Sequence, residues 1–121
     1  METREIYDEM FHYDFSVRCR ETFEQEITLQ DEDGKAIDLT GKTAKAQVRK
    51  EPGSTALVAS MKCSIDKATG SINFMLTSAQ TAAIAAGKYA YDVCLVETTS
   101  GEEIRKYLIG GLFMVLPSVT D

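Results

Sequence analysis

The sequence predicts an all-β domain, an antiparallel β-sandwich of seven or eight short strands with one short helical corner at about residues 78–86. Two observations favour this class: apolar and polar residues alternate along most of the chain, and clusters of turn residues separate the alternating runs. A chain of 121 residues can bury a sizeable core without disulfides or metals. We therefore expect one sandwich domain over residues 11–121, preceded by a charged N-terminal arm, residues 1–10, that is either mobile or docked.

The first half of the chain alternates in four places. Strands are predicted at residues 15–19, 23–29 and 44–48, with a short extended piece at 37–39. Asp31-Glu32-Asp33-Gly34 predicts a tight turn, because glycine accepts a positive φ and aspartate caps its own backbone. Pro52-Gly53 ends the strand before it, because proline lacks the donor that a ladder needs.

The second half begins with strands at residues 57–63 and 72–76, of which 72–76 has the clearest alternation. Ser78, the following alanines and Gly87 predict a short helix with a serine N-cap and a C-terminal glycine. Strands then follow at residues 89–95 and 103–116. Gly110-Gly111 inside the last strand predicts a bulge or a close approach of another backbone segment.

A tyrosine follows the predicted helix and favours an immunoglobulin-like form of the sandwich. In such folds a tyrosine at this corner ties the loop to the next strand, and Tyr89 is the candidate. Tyr91 stands about where an antibody-type domain carries its second cysteine. The chain has no tryptophan and no cysteine pair suited to the inter-sheet disulfide, which disfavours a true antibody-type domain.

Charge and composition exclude several classes of function. The chain carries 19 acidic and 13 basic side chains, for a net charge of −6, and this balance disfavours a nucleic-acid binder. The locally basic stretch 43–50 is expected to be a solvated strand face rather than a site for an anionic partner. No apolar run reaches the roughly 18 residues of a membrane span, and the acidic start is unlike a signal peptide. We expect a soluble protein that is made in the cytoplasm.

The cysteines and the single histidine offer no catalytic or metal-binding pattern. Cys19, Cys63 and Cys94 are too far apart in the sequence for a zinc knuckle or a redox pair, so we expect core thiols, with Cys63 the one nearest the surface. His12 is expected on the surface or on an edge strand rather than as a general base. Asp31 and Asp33 lack the remaining ligands of a calcium loop. We therefore expect no enzyme activity, no cofactor and no metal.

The order of several short motifs resembles that in small virion-associated proteins of tailed bacteriophages and prophages. The motifs include Asp38-Leu39-Thr40-Gly41, Gly70-Ser71-Ile72, Tyr91-Asp92-Val93 and Pro117-Ser118-Val119-Thr120. The chain is similar to the immunoglobulin-like domain that begins phage baseplate upper proteins. This resemblance implies a non-enzymatic structural or adaptor role in the tail, baseplate or fibre region, in the host cytoplasm during assembly and then in the virion. The implied partners are other virion proteins and further copies of the chain, with no catalytic residue carried over.

An assembly role needs exposed apolar side chains, and the last strand and the N-terminal arm supply candidates. The predicted interface residues are Tyr7, Met10, Phe11, Tyr107, Leu112 and Met114. One alternative is a binding module for a host-surface carbohydrate or protein, which would group exposed aromatics such as Tyr7, Tyr13 and Tyr107. Another is a small enzyme or an inhibitor of a host enzyme, which would need a concave polar pocket.

Overall fold

The computed structural model describes residues 3–5 and 11–120. Its strands are β1 (Thr3–Glu5), β2 (Phe11–His12), β3 (Phe15–Arg18), β4 (Phe23–Gln30), β5 (Lys42–Arg49), β6 (Leu57–Asp66), β7 (Ser71–Leu76), β8 (Gly87–Thr99) and β9 (Glu102–Leu116), and helix α1 (Ser78–Ala82) lies between β7 and β8. Strands β3 to β9 lie where the alternation predicts them, because each presents apolar side chains to the core, whereas β1 and β2 were not predicted.

The strands form one curled sheet with the order β1-β4-β7-β6-β5-β8-β9-β2, and β3 also pairs with β9. Strand β6 connects the two halves: residues 57–61 pair with β5, and residues 62–66 pair with β7. The sheet therefore bends into a half-barrel whose halves, β1-β4-β7-β6 and β6-β5-β8-β9-β2, face each other across one core. The predicted all-β sandwich is confirmed.

The N-terminal strands differ from the rest in direction. From β4 to β9 every strand pair is antiparallel, whereas β1 pairs in parallel with β4, and β2 and β3 pair in parallel with β9. The described part of the N-terminal segment thus covers an edge of each half of the sheet. Alternation could not predict this feature, since it indicates which face of a strand is buried but not the direction of its neighbour.

Aromatic rings join the two halves of the core. Phe23 of β4 meets Phe113 of β9 edge to face, with ring centroids 5.0 Å apart. Phe15 lies 5.2 Å from Phe23 and 5.2 Å from Tyr91. Edge-to-face and tilted aromatic pairs of this kind add to the free energy gained from burial alone. The cluster therefore links β4, β8, β9 and the N-terminal strand β3 across the core.

All three cysteines are free, and their positions refine the expectation of core thiols. Cys19 and Cys63 are half-buried and pack against the core, and burial raises the pKa of Cys63 to about 11. Cys94 is buried, as expected, although it lies outside the main core cluster. It lies on the other face of β8, between its cross-strand neighbours Lys45 and Tyr107, and these longer side chains can cover it.

The helical corner is present, although its ends differ from the sequence prediction. Thr77, rather than Ser78, is the N-cap, and it forms a capping box with Gln80. Ser78 instead donates a hydrogen bond of 2.7 Å to the carbonyl oxygen of Arg20. The helix ends at Ala82, and Gly87 begins β8. The prediction missed the cap because serine and threonine at adjacent positions are equally good candidates in sequence.

The predicted corner tyrosine is confirmed by its hydrogen bond. Tyr89, near the start of β8, donates from its hydroxyl to the carbonyl oxygen of Ala85 at 2.6 Å. Tyr89 is 8% exposed, while Ala85 is exposed, so the bond is partly shielded from water. It fixes the loop between α1 and β8 against the sheet, as the tyrosine corner does in immunoglobulin-like folds.

Replacing Tyr89→Phe removes this bond and leaves the Ala85 carbonyl without its partner. We expect the free energy of unfolding to fall by about 0.5–1.5 kcal/mol in urea denaturation, because a part-buried hydrogen bond is lost. Tyr13→Phe is the matched control, since the Tyr13 ring is 41% exposed. Equal effects of the two substitutions would contradict the role assigned to Tyr89.

Candidate functional site

Three of the six predicted interface residues share one face of β9. Tyr107, Leu112 and Met114 point away from the core, whereas Phe113 and Val115 point into it. Tyr107 and Leu112 are 42% and 41% exposed, and Met114 is half-buried. Together with the outward-facing residues of β8 and β5 they form a surface that we call the docking face.

Of the other three predicted residues the structure describes Phe11, which does not lie on this surface. Phe11 is half-buried and packs against the core, and its ring stacks on Tyr13 with centroids 6.2 Å apart. Tyr7 and Met10 lie outside the described residues. The structure therefore brings together the candidates from the last strand, while Phe11 contributes to the edge of the core. A role of any of them in an interface stays a prediction.

A groove of about 570 Å³ crosses the docking face. Its lining residues come from five parts of the fold: His12 of β2; Gln47 and Arg49 of β5; Lys50, Glu51, Pro52 and Gly53 of the β5–β6 loop; Lys88, Tyr89, Ala90, Tyr91 and Asp92 of β8; and Gly111 and Leu112 of β9. Leu112 supplies an exposed apolar side chain among charged groups. Sequence reasoning missed most of these residues, because strands distant in the chain bring them together.

Arg49 shapes one wall of the groove. Its guanidinium donates to the carbonyl oxygens of Ser54 and Thr55 at 3.3 and 3.1 Å, and to Gln47 Oε1 at 2.9 Å. The next residue, Lys50, places its Nζ 5.3 Å from the centre of the Tyr89 ring. The end of the basic stretch is thus held against the β5–β6 loop and the corner tyrosine. Arg49 is half-buried, so the expected solvated face is only partly solvated.

A carboxylate also lies in the groove. Asp92 faces outward on β8, and partial burial raises the pKa of its carboxyl group, while the positive charge of Arg49 opposes the shift. Charged groups held beside an apolar side chain are suited to binding another surface, because both charge and shape must match for a partner to fit.

The N-terminal segment is attached to the docking face at Gly111. A Cβ atom at this position would lie 2.5 Å from the carbonyl oxygen of Tyr13 and 2.7 Å from an oxygen of Asp14, so only glycine admits the close approach. The Tyr13 amide donates to Gly110 at 2.9 Å, and the Leu112 amide donates to Asp14 Oδ1 at 2.8 Å. The predicted close backbone approach at the glycine pair is confirmed.

Tyr91 completes this attachment. It pairs directly with Gly111 across the sheet, and its hydroxyl donates to the Tyr13 carbonyl oxygen at 2.5 Å. Because Gly111 has no side chain, the Tyr91 ring can extend across β9 to reach that oxygen. Burial raises the pKa of Tyr91 well above its ordinary value, and the negative charge of Asp14 raises it further. The sequence indicated Gly111 but not its partner.

His12 and Asp14 form the outer part of the same segment. His12 Nε2 lies 3.2 Å from Asp14 Oδ1, and both side chains are mostly exposed. His12 is on an edge strand, as expected. Among residues 3–5 and 11–120, no group of three histidine, cysteine or acidic side chains could hold a metal ion, and no helix is long and apolar enough to cross a membrane.

The comparison with solved structures identifies a phage domain with this architecture. The fold is similar to that of the N-terminal domain of phage TP901-1 ORF48. The two share 13% sequence identity with a TM-score of 0.53, and the match covers 96% of this chain and 99% of the phage domain. The predicted resemblance to a phage immunoglobulin-like domain is thus confirmed for the fold. No family model and no curated protein matches the sequence.

The Tyr91 hydroxyl bond predicts a specific pH dependence. The pKa of Tyr91 is higher in the folded protein than in the unfolded chain, where it has the ordinary tyrosine value of about 10. The neutral Tyr91 hydroxyl therefore contributes fully to stability below about pH 10, and this contribution decreases as the pH rises further. We expect Tyr91→Phe to lower the free energy of unfolding by about 1–3 kcal/mol at neutral pH, because the Tyr13 carbonyl loses a shielded donor.

The measurement is urea denaturation of both proteins from neutral pH to pH 11. The stability difference between wild type and Tyr91→Phe should shrink above pH 10, by up to about 1.4 kcal/mol per pH unit. The other titrating groups are common to both proteins and cancel in the difference. A difference that stays constant across this range would contradict the assigned environment of Tyr91.

Proposed function

We propose that the chain is a non-enzymatic structural or adaptor protein of a tailed phage or prophage, acting through protein–protein contacts in the tail, baseplate or fibre region. The observation that carries the proposal is the fold similarity to a phage domain over nearly the full length of both chains. The motif order in the sequence supports the same assignment. The proposed partners are other virion proteins, with further copies of the chain as a second possibility.

The surface supports recognition of another protein. Tyr107, Leu112 and Met114 lie on strand β9 rather than on a loop, so their positions are set by the sheet before any partner binds. A preformed surface loses little conformational entropy on binding. Exposed tyrosine and leucine beside a charged groove match the mixed composition of protein interfaces.

The arrangement of the groove favours binding over catalysis. Arg49 is engaged with backbone oxygens of its own loop and with Gln47, so it helps to fix the wall of the groove. His12 contacts Asp14 near its outer edge rather than a nucleophilic side chain. The proposal places the protein in the host cytoplasm during assembly and afterwards in the virion.

The distribution of aromatics favours assembly over binding to a host surface. Tyr107 faces outward on β9, whereas the Tyr13 ring stacks on Phe11 and packs at a tilt against Phe15 at the edge of the core. These two tyrosines are therefore not grouped into one aromatic patch of the kind that the host-binding alternative predicts. Tyr7, the third candidate, lies outside the described residues.

The proposal is tested by the composition of purified particles. A phage or prophage that encodes the chain is grown with the wild-type protein or with Leu112→Asp, and the protein is quantified in particles by mass spectrometry. We expect a fixed number of wild-type copies per particle. Leu112→Asp should reduce incorporation by about tenfold, because it places a charge where an apolar side chain would be buried in the interface.

Val119→Asp is the matched control, since Val119 is fully exposed, lies beyond the end of β9 and does not line the groove. Thermal unfolding followed by circular dichroism verifies that both variants fold. Wild-type protein abundant in lysates but absent from particles would overturn the proposed function. Equal incorporation of Leu112→Asp and wild type would reject the docking face while leaving a virion role intact.

A further inference from the structure

The outer faces of the two halves of the sandwich differ in charge. On the half formed by β4, β7 and the end of β6 lies a hollow of about 490 Å³. Its lining contains three acidic residues, Glu24, Glu26 and Asp66, and one basic residue, Lys62. The neutral part of the lining consists of Ser64, Ile65, Ser71, Asn73 and Met75. We call this surface the acidic face. Asn73 donates to Glu24 Oε2 at 3.1 Å and holds one of its carboxylates in place.

The groove on the docking face has the opposite balance. The basic residues Arg49, Lys50 and Lys88 outnumber the two acidic ones, Glu51 and Asp92. Lys45 adds a further exposed cation on the same face of β5, two residues before Gln47. An acidic protein thus concentrates part of its positive charge on one outer face and leaves carboxylates in excess on the other.

The geometry of the sandwich determines how such faces can meet. The two halves of the sheet share one core, so their outer faces point in roughly opposite directions. A contact between unlike faces of identical chains is heterologous, and each copy that binds leaves a new free face for the next. Contacts of this kind produce a ring when the rotation closes and a filament when it does not.

Each face also offers an apolar contact. Leu112 is 41% exposed at the groove, and the half-buried Met75 lies in the acidic hollow. Apolar contact gives such an interface affinity, and complementary charge sets its orientation and disfavours like-face pairing.

We propose that the acidic face of one copy docks on the basic groove of a second copy, giving head-to-tail assembly of this chain. The proposal rests on the structural role proposed above and names the chain's partner in that role. Glu24, Glu26 and Asp66 of one copy meet Lys88 and its neighbouring cations on the next, with Met75 and Leu112 in apolar contact.

Charge exchange tests the proposal on the purified full chain. Glu26→Lys reverses an exposed charge on the acidic face, and Lys88→Glu reverses one at the groove. Self-association is measured by light scattering and sedimentation up to millimolar concentration. We expect each single variant to associate about tenfold more weakly than wild type, because every head-to-tail contact then contains like charges. An equimolar mixture of the two variants should regain association, since each altered face then meets an oppositely charged one.

Glu102→Lys is the control, because it makes the same charge change at the tip of the β8–β9 hairpin. It should change association less than Glu26→Lys does. A wild-type monomer at millimolar concentration overturns head-to-tail docking, as does association that neither reversal weakens or that the mixture does not restore. Such a failure is distinct from failure of the proposed function, because particle composition reports on the latter without any requirement for self-association.

Discussion

The hydrogen bond from the Tyr91 hydroxyl to the Tyr13 carbonyl oxygen, made across the bare backbone of Gly111, holds the N-terminal segment on the last strand. Around it, the Tyr13 amide donates to Gly110, and the Leu112 amide donates to Asp14. A side chain at position 111 would separate these partners. The contact therefore depends on two features at once: glycine at the close approach, and a tyrosine opposite it that is long enough to reach the Tyr13 carbonyl oxygen between β2 and β3.

This attachment positions the surface to which we assign recognition. Leu112 is exposed on the strand whose backbone Asp14 holds, and His12 reaches the groove because β2 lies along β9. On the other side of the groove, the hydrogen bonds of Arg49 hold the β5–β6 loop, and the Tyr89 hydroxyl holds the helical corner. Both walls of the groove are thus fixed by contacts that exist before any partner binds, which is the arrangement expected of a scaffold for protein contacts.

The sequence predicted the strands well because alternation follows directly from which side chains face the core. Tyr89 and Gly111 were also foreseeable, since a corner tyrosine and a glycine pair within a strand have specific structural uses. The parallel pairing of β2 and β3 with β9, and the change of partner within β6, were not foreseeable, because they depend on contacts between distant parts of the chain. For the same reason, the groove was missed although its basic stretch was noticed. Arg49 and Asp92 become neighbours only when β5 pairs with β8.

Amide hydrogen exchange at Tyr13 and Leu112 tests the central claim most directly. Both amides donate within the attachment, so the account predicts protection approaching that of the β8 amides, which lie in the interior of the sheet. Free exchange at Tyr13 and Leu112 while the β8 amides remain protected would contradict it, because the N-terminal segment would then be detached from β9 in the native protein.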